Sequence, residues 1–128
     1  MRIAHVAVWT RNLERLSEFY ETHFGANAGS KYVSQSRPFE SYFLSFESGA
    51  RLEIMQMPSV ADGANISGPL RGYAHLAISA GSEDDVDRLT SRLADAGCEV
   101  LSNPRRTGDG CYESVVADPD VNPIEITV

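Results

Sequence analysis

The chain predicts an α+β fold made of two tandem βαβββ modules, and three observations carry that prediction. The apolar pentapeptide Ala4-His5-Val6-Ala7-Val8 returns 70 residues later as Ala74-His75-Leu76-Ala77-Ile78. Leu52-Glu53-Ile54 returns 72 residues later as Ile124-Glu125-Ile126. Between the members of each pair runs the same order of patterning: strand alternation, one helical period, then strand alternation again. The chain therefore reads as an internal duplication within a single domain of 128 residues, with module 1 over 1–58, a linker over 59–72 and module 2 over 73–128.

Ile3 to Trp9 alternates as a strand. Asn12 is a natural N-cap for the helix that follows, in which Leu13, Leu16, Phe19, Tyr20 and Phe24 recur at helical spacing until Gly25 stops it. Three strands are expected next, over Ala28 to Ser34, Ser41 to Phe46 and Ala50 to Met57. Pro58 to Gly72 then carries two prolines, three glycines and little apolar period, as a linker does. Module 2 repeats the plan with a strand from Tyr73 to Ser79 and a cap at Ser82. Asp84 and Asp85 stand near the positive helix end, Val86, Leu89, Leu93 and Ala96 form the apolar stripe, and Gly97 is the matching stop. Its strands are expected at Glu99 to Ser102, Tyr112 to Ala117 and Pro123 to Val128, with Asp118 to Pro123 as the turn that launches the last one. Gly108-Asp109-Gly110 reads as a loop. One helix covers one sheet face, which leaves the other face bare until a second module curls against it.

Composition narrows the function classes. With 42% apolar and 23% charged residues the chain is neither disordered nor fibrous, and no apolar run approaches the roughly 20 residues that span a bilayer. No leader pattern precedes the first strand, so a soluble, cytoplasmic protein is expected. Cys98 and Cys111 lie 13 residues apart without a Cys-x-x-Cys or finger pattern and read as reduced thiols. A net charge of −7 disfavours nucleic acid and anionic membranes as partners and leaves a small molecule.

Alternation sorts side chains by face. In the Glu53 strand Leu52 and Ile54 face the helix, whereas Arg51, Glu53, Met55 and Met57 face away. His5 shares a face with Ile3, Ala7 and Trp9, His75 with Tyr73, Ala77 and Ser79, and Glu125 with Pro123 and Thr127. Taken singly, each histidine reads as an ordinary core residue and each glutamate as a solvated one. Taken together they change meaning, because each has a counterpart at nearly the same offset in a repeated apolar frame. Two imidazoles and two carboxylates are the ligand set of a mononuclear site for Ni²⁺, Zn²⁺, Co²⁺, Mn²⁺ or Fe²⁺, with two octahedral positions left for the oxygens of a chelating substrate. Such an ion acts as a Lewis acid while a displaced carboxylate moves a proton. Arg37 and the pair Arg105-Arg106 fall in loops before the third strand of each module, where positive charge can reach the mouth of the site. His23, at the end of the first helix, fits the helix dipole better than ligation.

His5-Val6-Ala7-Val8, Leu13 to Phe19-Tyr20, Phe24-Gly25, Leu52-Glu53-Ile54, His75-Leu76-Ala77-Ile78 and Asp118-Pro119-Asp120 leading to Asn122-Pro123-Ile124-Glu125 together resemble the vicinal oxygen chelate superfamily, the glyoxalase and bleomycin-resistance group. The resemblance spans essentially the whole chain. It implies a curved mixed-sheet half-barrel with the helices outside and one divalent metal held by His5, Glu53, His75 and Glu125. Nickel or zinc ranks ahead of cobalt, manganese and ferrous iron. Glu53 at the second ligand position resembles glyoxalase I; fosfomycin-resistance transferases and extradiol dioxygenases carry histidine there and methylmalonyl-CoA epimerases usually glutamine. By that resemblance Glu125 shuttles a proton on the hemithioacetal of methylglyoxal and a thiol, Glu53 serves as ligand and second base, and the product is a lactoyl thioester. Trp9, Met55, Met57, Arg37 and Arg106 are the expected substrate contacts. Glutathione-dependent members carry arginine at Trp9 and asparagine at Met57, which points to a more apolar substrate here, and Val121 stands where the terminal turn usually has glycine. A homodimer is expected. The alternatives are a non-catalytic binder of the bleomycin-resistance type and an epimerase or dioxygenase on the same scaffold.

Overall fold

The computed structural model describes residues 3–61, 73–108 and 110–128. Most of the expected linker, from residue 62 onward, and Asp109 of the expected loop lie outside them. The chain forms two compact units, Met1–Asn65 and Ile66–Val128.

The first unit runs β1 (His5–Trp9), α1 (Leu13–Phe24), β2 (Asn27–Ala28), β3 (Tyr32–Val33), β4 (Glu40–Ser45) and β5 (Arg51–Gln56). Its sheet has the order β1-β5-β4-β2, with β3 also on β4; β1 and β5 are parallel and the remaining pairs antiparallel. The helix starts where the sequence places it. Asn12 accepts a hydrogen bond from Arg15 N at 3.0 Å, and Gln56 Oε1, reaching over from β5, accepts one from Leu13 N at 2.9 Å. It ends at Gly25, whose φ of 64° costs an L side chain but not glycine. Leu13, Leu16 and Tyr20 pack with Leu44, Leu52 and Ile54 as the core between helix and sheet, all nearly inaccessible to water.

The second unit runs β6 (Leu76–Ser79), α2 (Glu83–Asp95), β7 (Val100–Arg106), β8 (Tyr112–Ala117) and β9 (Pro123–Thr127). Its sheet order, β6-β9-β8-β7, repeats the first: opening and closing strands parallel, the others antiparallel. Ser82 caps α2 by accepting from Asp85 N at 3.2 Å. Val86 and Leu93 pack toward Val116, Ile124 and Ile126, again without exposure. Within that core the Thr90 hydroxyl donates to Val86 O at 2.7 Å, so the 2.6 Å contact between Ser114 Oγ and Thr90 Oγ1 is donated by Ser114.

Three boundaries differ from the sequence expectation. The strand expected over Ala28 to Ser34 is two short ones separated by Gly29-Ser30-Lys31; Lys31 turns its ammonium onto Glu14 and Glu40, each at 2.9 Å, instead of continuing the alternation. The strand expected to stop at Ser102 continues to Arg106 through Pro104. Proline is tolerated because β7 lies at the sheet edge and its register shifts on both sides of Ser102. Arg105 and Arg106 are thus strand residues, not loop residues. The fifth expected strand starts three residues late, at Leu76, so His75 stands just ahead of it.

The turn before β9 is tightly tied. Asp118 Oδ1 accepts from Asp120 N at 2.9 Å and Asn122 N at 2.8 Å, and Val121 N reaches Asp118 O at 2.9 Å. Burial pushes the Asp118 carboxyl above its ordinary value, and the hydrogen bonds from Asn122 and Asp120 pull part of the way back. Val121 takes the left-handed conformation, φ 65°.

Candidate metal centre

Strand register, not helix geometry, sets the position of each nominated ligand. β1 and β5 pair Ala7 with Glu53, and β4 sets Phe43 against Glu53 on its other side. β6 and β9 pair Ala77 with Glu125, and β8 sets Val115 there. The two rows, Ala7–Glu53–Phe43 and Ala77–Glu125–Val115, are equivalent. A small alanine two residues beyond each histidine leaves room for the imidazole to lean toward its glutamate.

It does so in both units. His5 Nε2 lies 3.8 Å from Glu53 Oε2, and His75 Nε2 lies 3.2 Å from Glu125 Oε2. The environments match as well: the histidine side chains are 43% and 44% exposed, the glutamates 16% and 18%. Leu52, Ile54, Ile124 and Ile126, which flank the glutamates, are buried on the helix side, as the alternation predicts. Phe43 adds support in the first unit only. Its ring meets His5 edge-on at 5.3 Å, and the Arg51 guanidinium lies 4.3 Å from the centroid of the same ring.

Each unit pairs one borderline nitrogen donor with one carboxylate, the mixed chemistry that divalent nickel, zinc or cobalt accepts. Among the described residues no group of three or more His, Cys, Asp and Glu side chains gathers closely enough to hold an ion, and each unit supplies one pair.

The neighbouring row is where the units diverge. In the first it reads Trp9–Met55–Ser41–Tyr32, and in the second Ser79–Thr127–Glu113–Arg105. The aromatic row borders a cavity of about 670 Å³ lined by Trp9, Tyr32, Arg37, Phe39, Ser41, Phe43, Glu53, Met55 and Met57. Of the substrate contacts nominated from sequence, Trp9, Met55, Met57 and Arg37 come together here, beside the nominated ligand Glu53. Tyr32, Phe39 and Phe43 were missed. Phe43 was legible, since it alternates with Tyr42 and Leu44 on a strand expected beside Glu53; the broken strand hid Tyr32.

Arg106 is placed elsewhere. It pairs with Glu83 at the start of α2, donates to Gly110 O at 3.3 Å, and stands 5.7 Å from the ring of Tyr112, whose hydroxyl bonds to Asp87 of the helix. That puts its guanidinium on the helix side of the sheet. Its neighbour Arg105 takes the other face, 3.5 Å from Glu113. His23 packs on Phe19 in the last turn of α1, with ring centroids 5.1 Å apart. Cys98 and Cys111 are both free thiols, and burial pushes that of Cys98 up.

The chain matches the model of the Glyoxalase/Bleomycin resistance protein/Dioxygenase superfamily over residues 2–126. No curated protein matches it. Among solved structures, glyoxalase I from Zea mays is 22% identical with a TM-score of 0.78, covering 98% of this chain and 44% of its own, so this chain spans under half of that enzyme. The trypanothione-dependent glyoxalase I of Leishmania major is 23% identical with a TM-score of 0.76, covering 99% of this chain and 86% of its own. A glyoxalase/bleomycin resistance protein/dioxygenase domain from Frankia sp. is 17% identical with a TM-score of 0.82, covering 98% and 95%. At such identities the structures share a fold, and the family match across nearly the whole length adds descent: this chain belongs to the glyoxalase/bleomycin resistance protein/dioxygenase superfamily.

Proposed function

We propose that the protein is a metal-dependent lyase or isomerase of the glyoxalase I type, in which His5, Glu53, His75 and Glu125 hold one divalent ion, nickel or zinc before cobalt, manganese or iron. One observation carries the reading: the same His–Glu pair, with the histidine two residues before an alanine that is paired with the glutamate, is built twice at closely similar exposure. A fold has no need to repeat a half-exposed imidazole beside a half-buried carboxylate, whereas a shared ion does. Members of the superfamily commonly use a divalent metal.

The ion, when bound, supplies Lewis acidity to the vicinal oxygens of a substrate such as the hemithioacetal of methylglyoxal and a thiol. The chain's residues do the rest. Glu125 takes the proton from one carbon and returns it to the next, and Glu53 serves as ligand and second base. Trp9, Met55 and Met57 keep water from the apolar side of the substrate. Where glutathione-dependent enzymes have an arginine and an asparagine, this chain offers an indole and a thioether, so the thiol is one other than glutathione. A homodimer in the cytoplasm belongs to the same proposal. A non-catalytic binder of the bleomycin-resistance type is the second reading, favoured by the aromatic cavity, but it leaves the duplicated pairs without a role.

Metal content by plasma mass spectrometry, before and after stripping and reloading with Ni²⁺, Zn²⁺, Co²⁺ and Mn²⁺, is the test. Near-stoichiometric metal that is lost in His5→Ala and His75→Ala is expected. Glu125→Gln should abolish turnover of a thiol–aldehyde adduct with the fold intact, and Glu47→Gln, in the turn between β4 and β5, should not. Absence of metal under every loading condition returns the four residues to structural roles and leaves the binder.

A further inference from the structure

We propose that the cavity of the first unit selects substrates with an aromatic or bulky apolar body and an anionic group, and that Arg37 recognises the anion. The proposal rests on the glyoxalase-type reading for the reacting end of the substrate and concerns the part that lies beyond it.

The apolar body follows from the walls. Phe39 is 7% exposed and stands between two rings that meet it edge-on, Trp9 at 6.1 Å and Tyr32 at 6.0 Å. Trp9 and Tyr32 are themselves 45% and 56% exposed, well above what an aromatic side chain keeps in a satisfied core. Met55 and Met57 complete a surface that adapts to an irregular apolar shape, and Ser59 Oγ holds the Met57 sulfur at 2.8 Å. The uncharged polar groups on the lining side chains are the Ser41 and Tyr32 hydroxyls and the Trp9 indole N–H.

The anion follows from charge. The acidic chain pairs its cations freely: Lys31, Arg88, Arg105 and Arg106 each rest against a carboxylate. Arg37 does not. Among the described residues its guanidinium has a ring contact, 4.5 Å from Phe39, and no acidic partner, although it lines the cavity. Its position is built in, because Ser34 N bonds Phe39 O at 2.9 Å and Phe39 N bonds Arg37 O at 2.8 Å around Pro38, which fixes one backbone angle of the loop. A guanidinium stacked on a ring keeps its N–H edge open for a carboxylate. Glu53, the cavity's one acid, faces His5. A cationic ligand would therefore meet Arg37 unopposed.

Trp9 is the chain's one tryptophan, so a single indole N–H resonance reports on this wall. Full-length protein, nickel-loaded and chelator-stripped in parallel, is titrated with 4-phenylbutanoate, 4-phenylbutanamide and 4-phenylbutylammonium. The carboxylate should move the Trp9 resonance and bind about tenfold tighter than the amide, the ratio that ~1.4 kcal/mol sets, with the ammonium weakest. Arg37→Gln should bring the carboxylate down to the amide and leave the amide unchanged. The preference should be the same with and without metal, so a failed metal assay leaves it standing. Equal binding of carboxylate and amide, tighter binding of the ammonium, a preference that vanishes with the metal, or binding that leaves Trp9 unmoved would each overturn the assignment.

Discussion

Replacing Val121 with glycine should stabilise the protein. Val121 sits at φ 65°, a region where an L residue pays about 1–2 kcal/mol and a β-branched one is least at ease. The conformation is imposed by its neighbours: Val121 N reaches Asp118 O at 2.9 Å, Asp118 N reaches Asn122 O at 3.0 Å, and the Asp118 carboxylate gathers the amides of Asp120 and Asn122. The side chain gains little in return, being 67% exposed. Glycine removes the strain but adds unfolded-state freedom of about 0.4–1 kcal/mol. The difference is a net gain of about 0.5–1 kcal/mol, a rise in Tm of roughly 2–5 °C for a domain of this size. Urea denaturation should show a higher midpoint at unchanged slope, and calorimetry the matching shift. Val121→Ala should gain less, because alanine keeps the left-handed penalty. A midpoint for Val121→Gly at or below that of the parent would refute the reasoning.

Phe43→Val, which copies the equivalent Val115, removes the edge contact on His5 and should weaken nickel binding about two- to tenfold by chelator competition, from ~0.5–1.5 kcal/mol of ring contact; unchanged affinity would show that Phe43 does not position His5. Thr90→Val leaves the fully buried Ser114 hydroxyl without its acceptor and should cost about 1–3 kcal/mol, whereas Ser114→Ala leaves the Thr90 bond to Val86 intact and should cost less; denaturant midpoints in the reverse order would disprove the assigned direction of that bond. The Ser82 hydroxyl first, then the Arg88 guanidinium, hold the Asp85 carboxyl below its ordinary 3.8. Because the folded value is the lower one, this stabilisation is present above pH 3.8 and is lost as pH falls through the folded value. Ser82→Ala should therefore raise the Asp85 titration midpoint in a carbon-detected NMR titration, and an unmoved midpoint would show that the cap hydroxyl does not carry the shift.

Elements with a strong local signal were legible in the sequence. Both caps, Asn12 and Ser82, accept the hydrogen bonds their residue type implies, and both helices occupy their apolar stripes. The α+β class and the repeated module order were readable because a period-two pattern around Glu53 and Glu125 has one helix-facing register. What escaped were features decided by partners far along the chain. Nothing local separates β2 from β3; that break comes from Lys31 reaching Glu14 and Glu40. Pro104 marks a strand end by local reasoning, and only its edge position permits β7 to continue. The same extension moved Arg106 to the helix side and Arg105 to the face of Glu125, since one step along a strand reverses the side chain. The glycine expected by resemblance at Val121 was the right position to question, and the positive φ supplies the reason.

Duplication also constrains where specificity can reside. The row that holds Glu53 and its equivalent with Glu125 share an alanine on one flank, and their histidines approach at similar distances, so this row carries what both units must do alike. The next row is under no such constraint and has diverged completely: Trp9, Met55, Ser41 and Tyr32 against Ser79, Thr127, Glu113 and Arg105. One is aromatic and apolar, the other is hydroxylated and charged, with Arg105 and Glu113 neutralising each other at 3.5 Å. On the proposed glyoxalase-type reading this division lets binding energy gained away from the reacting atoms change without disturbing Glu53 and Glu125. Exchanging Trp9 and Met55 for Ser and Thr should therefore alter which substrate is bound while leaving nickel affinity within about twofold, the resolution of a chelator competition that spans only ~0.4 kcal/mol. Loss of the metal in that double variant would mean the two rows act as one.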